Sequence, residues 1–563
     1  MRPTSPSVDR FLQGLVFPSG PRGVGSRGET WAQAGAPSAC TGGDLSSAHA
    51  NREWSTLMPS PEPIPRTATG IPGLDRVLRG GLTENRLCLL LGGPGTGKTT
   101  LSFQFLLEGV RRGEPVLYVT LLQSVSELDE LTRSHGWSLD GIQVVELTEE
   151  AREAAPADQT FFSSADLEFH HVADTISRAV EEHRPRRLVF DSVSELGVLV
   201  DNPAQLRREV VRLQGQLYRH GCTGIVNISD GPMERAASLG TIVHGVVRLS
   251  METPSFGHPD RKLEVTKVRG ADFAGGLHDF RIRTGGLEVY PRLEPAQGKE
   301  APDWEVVESG NAELDALLGG GLEQGTSCLI VGSTGTGKST LASLYVGGAG
   351  DRGDRAVIYC FDERRATYLH RSETLGMDLP RHVEEGRVVI REMEVDGISW
   401  GEFTEDIRWL VEEEGARVVV LDSITGYLHA LADDTLVMSR LHELLSYLAG
   451  QGVLTFLIVA DRGGLRGLET SKVDSSYLAD TVVLLRHFEA EGEVRRCISV
   501  LKKRYGQHET TIREIRSAPG GIRVGQPLTQ FSDILSGSPT YRGEVEGLFP
   551  RERRAGGEGE DDP

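Results

Sequence analysis

The sequence predicts an α/β chain in which one doubly wound domain, a mostly parallel twisted sheet flanked by helices, occurs twice. Three observations carry this expectation. TGIPGLDRVLRGGLTENRLCLLLGGPGTGKTTL, beginning at Thr69, returns as SGNAELDALLGGGLEQGTSCLIVGSTGTGKSTL, beginning at Ser309, in one unbroken register. Short apolar runs such as LCLLLGG, PVLYVT, RLVFDS and GIVNIS alternate with longer segments of helical spacing such as LSFQFLLEGV and LRREVVRLQGQLYRH. That alternation is the order of buried parallel strands and their covering helices. Each repeat also sets a glycine-rich octet between such a run and such a helix.

Residues 1–60 are crowded with Gly, Pro, Ser and Ala and hold only short apolar pieces such as FLQGLVF, so they read as a disordered or non-native extension. Arg and Ser with few acids give this segment some likeness to a transit peptide, and Met58 offers an alternative start. The first repeat is expected over 61–290 and the second over 305–525. Within them RRLVFDSVSEL around Asp191 is echoed by ARVVVLDSITGYL around Asp422, and RKLEVTKVRG by RRCISVLKKRYG. GVVRLSME and KLEVTKV read as strands joined by a hairpin, an antiparallel extension of the sheet. A charged, proline-bearing stretch over 291–304 reads as a linker. Residues 526–563 form a tail whose acidic GEGEDDP follows a basic RERR, a solvated end or a tether for a partner.

The 81 acidic against 60 basic side chains leave a net charge of -21, which repels a polyanion over most of the surface. Nucleic acid is therefore not the expected partner. Six scattered cysteines form no cluster of metal-ligand spacing and fit a reducing compartment. No apolar run approaches the about 18 residues of a membrane span, so the chain reads as cytoplasmic.

Gly92, Gly93, Pro94, Gly95, Thr96, Gly97, Lys98 and Thr99 form the first octet, with Thr100 after it. Gly332, Ser333, Thr334, Gly335, Thr336, Gly337, Lys338 and Ser339 form the second, with Thr340 after it. Both match the G-x-x-x-x-G-K-[ST] phosphate-binding loop. Glycines let successive N–H groups face an anion, and the helix N-terminus adds partial positive charge. The pattern assigns Lys98 and Lys338 to the β and γ phosphates of ATP, and the Thr99 and Ser339 hydroxyls to Mg²⁺. Asp191 and Asp422 each end an apolar strand, where a carboxylate holds the same metal directly or through water.

Taken together, TGIPGLD, the GGL turn, the phosphate loop, the DSV and DSI strand ends and the K-x-R strands resemble the RecA superfamily, and within it the double-domain ATPases of the KaiC family. The resemblance runs from about Thr69 to Pro539, and ILSGSPT from Ile534 is similar to the segment after the second domain in clock members. It implies tandem RecA-like phosphate-loop domains, a homo-hexameric ring with ATP between subunits, and a protein partner that reads the ring's state. It also implies that Lys267 and Arg269, and Lys502 and Arg504, reach the nucleotide of a neighbouring subunit. Alternate residues of a strand share a face, and two cations there offset charge on a transferring phosphoryl group.

The repeats differ where the family carries a pair of acids after the strand that follows the first helix. The second has Asp362 and Glu363 there, suited to orienting water or accepting a proton. The first has Leu122 and Gln123, with Glu127 as a substitute one turn on. The first domain is thus expected to bind ATP and assemble the ring while turning ATP over slowly or not at all. Clock members also phosphorylate themselves on a Ser and a Thr ahead of a D-T-[IV]-[IV]-L-L strand. KVDSSYLADTVVLL places Ser476 at the serine position and Tyr477 at the threonine position, with Ser475 as a further candidate. The expected function is an ATP-hydrolysing signalling ATPase with serine/threonine autokinase activity. The alternatives are a DNA-dependent recombinase or helicase, and a nucleotide-gated scaffold without turnover.

Overall fold

A computed structural model describes residues 64–121, 123–147, 164–194, 203–229, 238–253, 259–294, 305–394, 398–424, 434–460, 478–490, 492–534 and 540–541. Two nine-stranded sheets dominate it, one per repeat. The strands of the first are β1 (Leu87–Gly92), β2 (Val116–Thr120), β3 (Ile142–Glu146), β4 (Arg187–Asp191), β5 (Thr223–Ser229), β6 (Gly245–Glu252), β7 (Asp260–Val268), β8 (Leu277–Arg283) and β9 (Gly286–Tyr290). Those of the second are β10 (Ser327–Gly332), β11 (Arg355–Cys360), β12 (Val388–Glu392), β13 (Ala416–Asp422), β14 (Leu454–Ala460), β15 (Thr481–Ala490), β16 (Glu493–Lys503), β17 (Arg513–Ala518) and β18 (Gly521–Pro527).

The first sheet runs β3-β2-β4-β5-β1-β6-β7-β8-β9 and the second β12-β11-β13-β14-β10-β15-β16-β17-β18, so the duplication extends to strand order. In the first, neighbours from β3 to β6 pair parallel, and β7, β8 and β9 continue antiparallel. The expected hairpin from β6 to β7 is present, and a further one from β8 to β9 extends it.

Helices cover both faces of the parallel part: α1 (Pro72–Val77), α2 (Lys98–Arg111), α3 (Val125–Ser134), α4 (Ser164–His183) and α5 (Pro203–His220) in the first repeat. The second has α6 (Ala312–Leu317), α7 (Lys338–Arg352), α8 (Arg365–Thr374), α9 (Leu379–Glu384), α10 (Trp400–Glu412) and α11 (Asp434–Gly450). Covered on both sides, the central strands are apolar at successive positions. Leu87, Leu89 and Leu91 of β1 enter one core while Cys88 and Leu90 enter the other. β10 repeats the division with Leu329 and Val331 against Cys328 and Ile330. Cys88, Cys222, Cys328, Cys360 and Cys497 are free and buried among these apolar groups. Among the described residues no helix is long and apolar enough to cross a membrane, and no three His, Cys, Asp or Glu gather as a metal site.

The two domains touch. Leu293, just past β9, packs into a core of the second domain, and α10 lies against β8 and β9 of the first sheet. Arg76 donates to Glu405 at 2.6 Å, and Arg292 forks onto Glu443, its Nε at 2.9 Å from Oε2. Burial pushes the Glu405 carboxyl upward, but hydrogen bonds from Arg408 and Arg76 outweigh it and hold the group below the usual range.

One buried charge of the first domain has no counterpart in the second. Arg187 opens β4 at 1% exposure. Its Nε meets Glu114 at 2.5 Å, and its Nη1 donates to the carbonyls of Ala68 at 2.7 Å and Phe105 at 2.9 Å. At the matching place four residues before the strand-end aspartate, the second domain has Val418. Arg187→Ala strands those acceptors, so a loss of about 3 kcal/mol in the denaturant unfolding of the first domain is expected; a loss below about 1 kcal/mol contradicts this reading.

Candidate nucleotide sites

Each octet leaves the C-terminal end of a central strand and turns directly into a helix. Gly97 and Gly337 sit immediately before α2 and α7 with φ of 100° and 102°, a left-handed conformation that favours glycine. Thr96 and Thr336 fold each loop on itself by donating to Gly93 O and Ser333 O, both at 2.8 Å. Lys98 Nζ donates to Gly92 O at 2.7 Å and Gly93 O at 2.9 Å, and Lys338 Nζ to Ser333 O at 2.9 Å. Each lysine therefore lies along the loop whose N–H groups open onto the helix start, where the dipole adds to its charge.

The strand-end aspartates arrive beside the helix-opening hydroxyls. Thr99 Oγ1 donates to Asp191 Oδ2 at 3.0 Å, and Ser339 stands close enough to Asp422 to favour its charged form. Burial pushes the Asp422 carboxyl above its ordinary range and Glu363 adds to this, against Ser339, Arg371 and Lys338, which favour the charged form. Asp422 Oδ2 is buried with no hydrogen-bond partner among the described residues. A hydroxyl next to an unsatisfied buried carboxylate oxygen fits Mg²⁺, which takes oxygen ligands and brings its own waters. When bound, that ion neutralises charge on the β and γ phosphates.

The first site has one feature the sequence reading did not anticipate. Tyr118 OH also donates to Asp191 Oδ2, at 2.8 Å, with its ring stacked on Phe103 at 4.7 Å. Burial and the adjacent carboxylate drive the Tyr118 phenol well above its ordinary range, so it remains a donor. Ile358 stands at the matching strand position in the second domain, facing Val420 as Tyr118 faces Val189.

Asp362 and Glu363 leave β11 at the same end as Asp422. Ser423 Oγ donates to Asp362 Oδ2 at 2.6 Å, and Arg371 Nη1 to Glu363 Oε2 at 2.7 Å. The Arg371 guanidinium in turn lies 4.6 Å over the Tyr368 ring. Ser423 has a local sign, since it follows Asp422 in the repeated DS pair. Arg371 has none, because only the packing of α8 returns it to Glu363. In the first domain Leu122 lies outside the described residues. Gln123 is bound through its backbone, its N–H donating to Thr120 Oγ1 at 3.1 Å. Glu127, offered as a substitute for the missing acids, closes the capping box of α3, accepting from Ser124 N at 2.9 Å while its own N–H meets Ser124 Oγ at 3.3 Å.

The K-x-R residues are not brought to the loops of their own domain. β7 runs antiparallel to β6, and Lys267 pairs with Val246, near Gly245 opposite Cys88, whereas the loop leaves Gly92 opposite Leu249. The separation along the sheet is about 10 Å or more. Lys267 Nζ donates to Gly240 O at 2.7 Å, and Arg269 to Thr241 O. Burial, then the nearby Arg269, holds the Lys267 ammonium below its usual range. In the second domain Lys502 donates to Ala479 O at 2.8 Å, and Arg504 pairs with Asp480 at 2.8 Å. Thr340 and Thr100 lie in the first turns of α7 and α2. Ser475, Ser476 and Tyr477 lie outside the described residues.

A family model described as "ATPase: KaiC" matches the chain twice, over residues 67–294 and 307–529. The chain belongs to the KaiC family. KaiC relatives align along nearly their whole length. The circadian clock protein KaiC3 of Synechocystis sp. is 27% identical over 504 residues, 86% of this chain and 98% of its own. The circadian clock oscillator protein KaiC of Synechococcus elongatus is 28% identical over 490 residues, covering 85% and 92%. That of Prochlorococcus marinus strain MIT 9313 is 25% identical over 489 residues, covering 84% and 96%. The expected tandem of RecA-like KaiC domains is thereby established.

Asp422 supplies a pH test whose sign follows from its environment. A carboxyl raised in the folded state binds its proton more readily there than in the unfolded chain, so its ionised form costs stability at neutral pH. That cost vanishes as pH falls below the ordinary value of 3.8. In EDTA without nucleotide, Asp422→Asn should raise the unfolding temperature of the second domain by about 2 °C at pH 7.5, and the gain should shrink toward pH 4. With Mg-ATP the order should reverse, because the wild type gains more from binding. Equal gains at both pH values contradict the assignment.

Proposed function

We propose that this KaiC-family chain is a Mg-ATP-dependent signalling ATPase in which the second domain performs the chemistry and the first chiefly binds ATP and assembles the ring. The observation that carries the proposal is the contrast between the two strand ends. Asp362 and Glu363 are held by Ser423 and Arg371 beside Asp422, whereas the first domain offers Gln123 and a capping Glu127. Glu363 or Asp362 orients water, or accepts the proton of an attacking hydroxyl, for in-line displacement at the γ phosphate. Lys338 neutralises the phosphates, Ser339 and Asp422 hold Mg²⁺, and Lys98, Thr99 and Asp191 do the same at the first site.

The distance of Lys267 and Arg269 from their own loop supports their action on a neighbour's nucleotide, as does that of Lys502 and Arg504, and hence a homo-hexameric ring. Ser476 is proposed as the acceptor of autophosphorylation. With Tyr477 at the threonine position, the proposal covers one serine and no two-site cycle. Family membership and the net charge of -21 favour this reading over a DNA-dependent ATPase.

Glu363→Gln should reduce steady-state phosphate release by about 10²-fold or more while leaving two nucleotides bound per chain. Gln123→Leu should leave the rate unchanged within about two-fold. Peptide mass spectrometry of the wild type after incubation with Mg-ATP should find phosphate on Ser476, and the Glu363→Gln chain should lack it. Full turnover in Glu363→Gln sinks the proposed division of labour.

A further inference from the structure

Asp279, Arg281 and Arg283 alternate along β8 and therefore share one face. Phe280, between them, belongs to the first domain's core, and Ile282 lies over Gly97 on the same inward side. The outward face meets the first turn of α10. Asp279, only 6% exposed, accepts the Gly401 N–H on Oδ2 at 2.7 Å and Lys262 Nζ on Oδ1 at 2.5 Å. Arg281 Nε stands 3.1 Å from Glu402 Oε2, and Arg283 donates to Glu402 Oε1. Gly401 is buried, and a Cβ there would lie 2.5 Å from Asp279 Cβ, so the approach requires glycine. The opening N–H groups of α10 thus have acceptors from two domains: Ser399 Oγ takes Glu402 N at 3.2 Å and Asp279 takes Gly401 N. A carboxylate at this end also complements the helix dipole.

α10 in turn packs on the strand end that carries the acids. Phe403 is buried, edge-on to Tyr359 at 5.1 Å and Phe361 at 5.8 Å, and Tyr359 OH donates to Asp406 of the same helix at 2.9 Å. Phe361 directly precedes Asp362 and Glu363, and its N–H donates to Asp422 O at 2.8 Å. The ring of Phe403 and the backbone of Phe361 link the capped helix to the carboxylates.

We infer that Asp279 of the first domain is a positioning residue for the second domain's reaction. By capping α10 it sets the seat of Phe403, and through Phe361 the placement of Asp362 and Glu363. The inference rests on the proposed role of those acids. It differs from simple adhesion between domains, which the more exposed Arg292–Glu443 pair also supplies through α11.

The test compares full-length Asp279→Ala, Asp279→Asn, Gly401→Ala and Glu443→Ala with wild type. Phosphate release separates kcat from KM, and amide hydrogen exchange follows the 361–364 and 327–340 segments. Asp279→Ala and Gly401→Ala should lower kcat about ten-fold with KM within about two-fold, and speed exchange over 361–364 but not over 327–340. Asp279→Asn keeps one acceptor oxygen for the Gly401 N–H but turns its amide N–H₂ on Lys262, so it should recover part of the kcat lost in Asp279→Ala, whereas Glu443→Ala should remain within about two-fold of wild type. Unchanged exchange over 361–364 in Asp279→Ala, or an equal effect of Glu443→Ala, overturns the inference. A wild type that releases no phosphate sinks the proposed function instead, and the exchange comparison still decides the positioning claim.

Discussion

A carboxylate at the end of one strand must meet the hydroxyl that opens a helix two strands away, and everything else in each domain serves that meeting. Asp191 ends β4 and Thr99 follows β1, with β5 between them; their side chains are nonetheless 3.0 Å apart. Two parallel registers, β4 with β5 and β5 with β1, have to agree for this to happen. A slip of one residue in either of them turns the aspartate to the opposite face of the sheet. The near-continuous apolar runs of these strands, buried on both faces, hold that register through packing rather than through any single contact.

On this shared frame the two domains have been given different strand ends. In the first, a phenol and a hydroxyl share Asp191 Oδ2, and Glu127 caps α3. In the second, the phenol position holds Ile358, Asp422 keeps a buried oxygen without a partner among the described residues, and two acids stand beside it in their own hydrogen bonds. The same scaffold therefore supports a site that is satisfied by its own protein groups and one that is electrostatically demanding. A site of the second kind is what a reaction at a phosphoryl group requires.

Much of this was legible in the residues. The repeated octets, the DSV and DSI strand ends and the β6–β7 hairpin are local patterns, and local patterns survive folding. Asp362 and Glu363 were picked out through the family resemblance, as the pair of acids after the strand that follows the first helix. Tyr118 was not, since a tyrosine in an apolar run reads as core, and its hydroxyl finds Asp191 only through the pairing of β2 with β4. Arg371 and the Asp279–Gly401 contact were hidden for the same reason: each joins residues whose proximity is made by packing alone. Glu127 carried two readings, since a glutamate three residues after Ser124 is also a capping signal, and in the structure it caps α3.

The central claim is that both domains hold nucleotide while only the second consumes it. The direct measurement is the identity of nucleotides retained by purified chain after incubation with Mg-ATP, rapid desalting and acid release. About two nucleotides per chain, about half ATP and half ADP, is the result this account predicts. ADP alone at both sites, or about one nucleotide per chain, would contradict it.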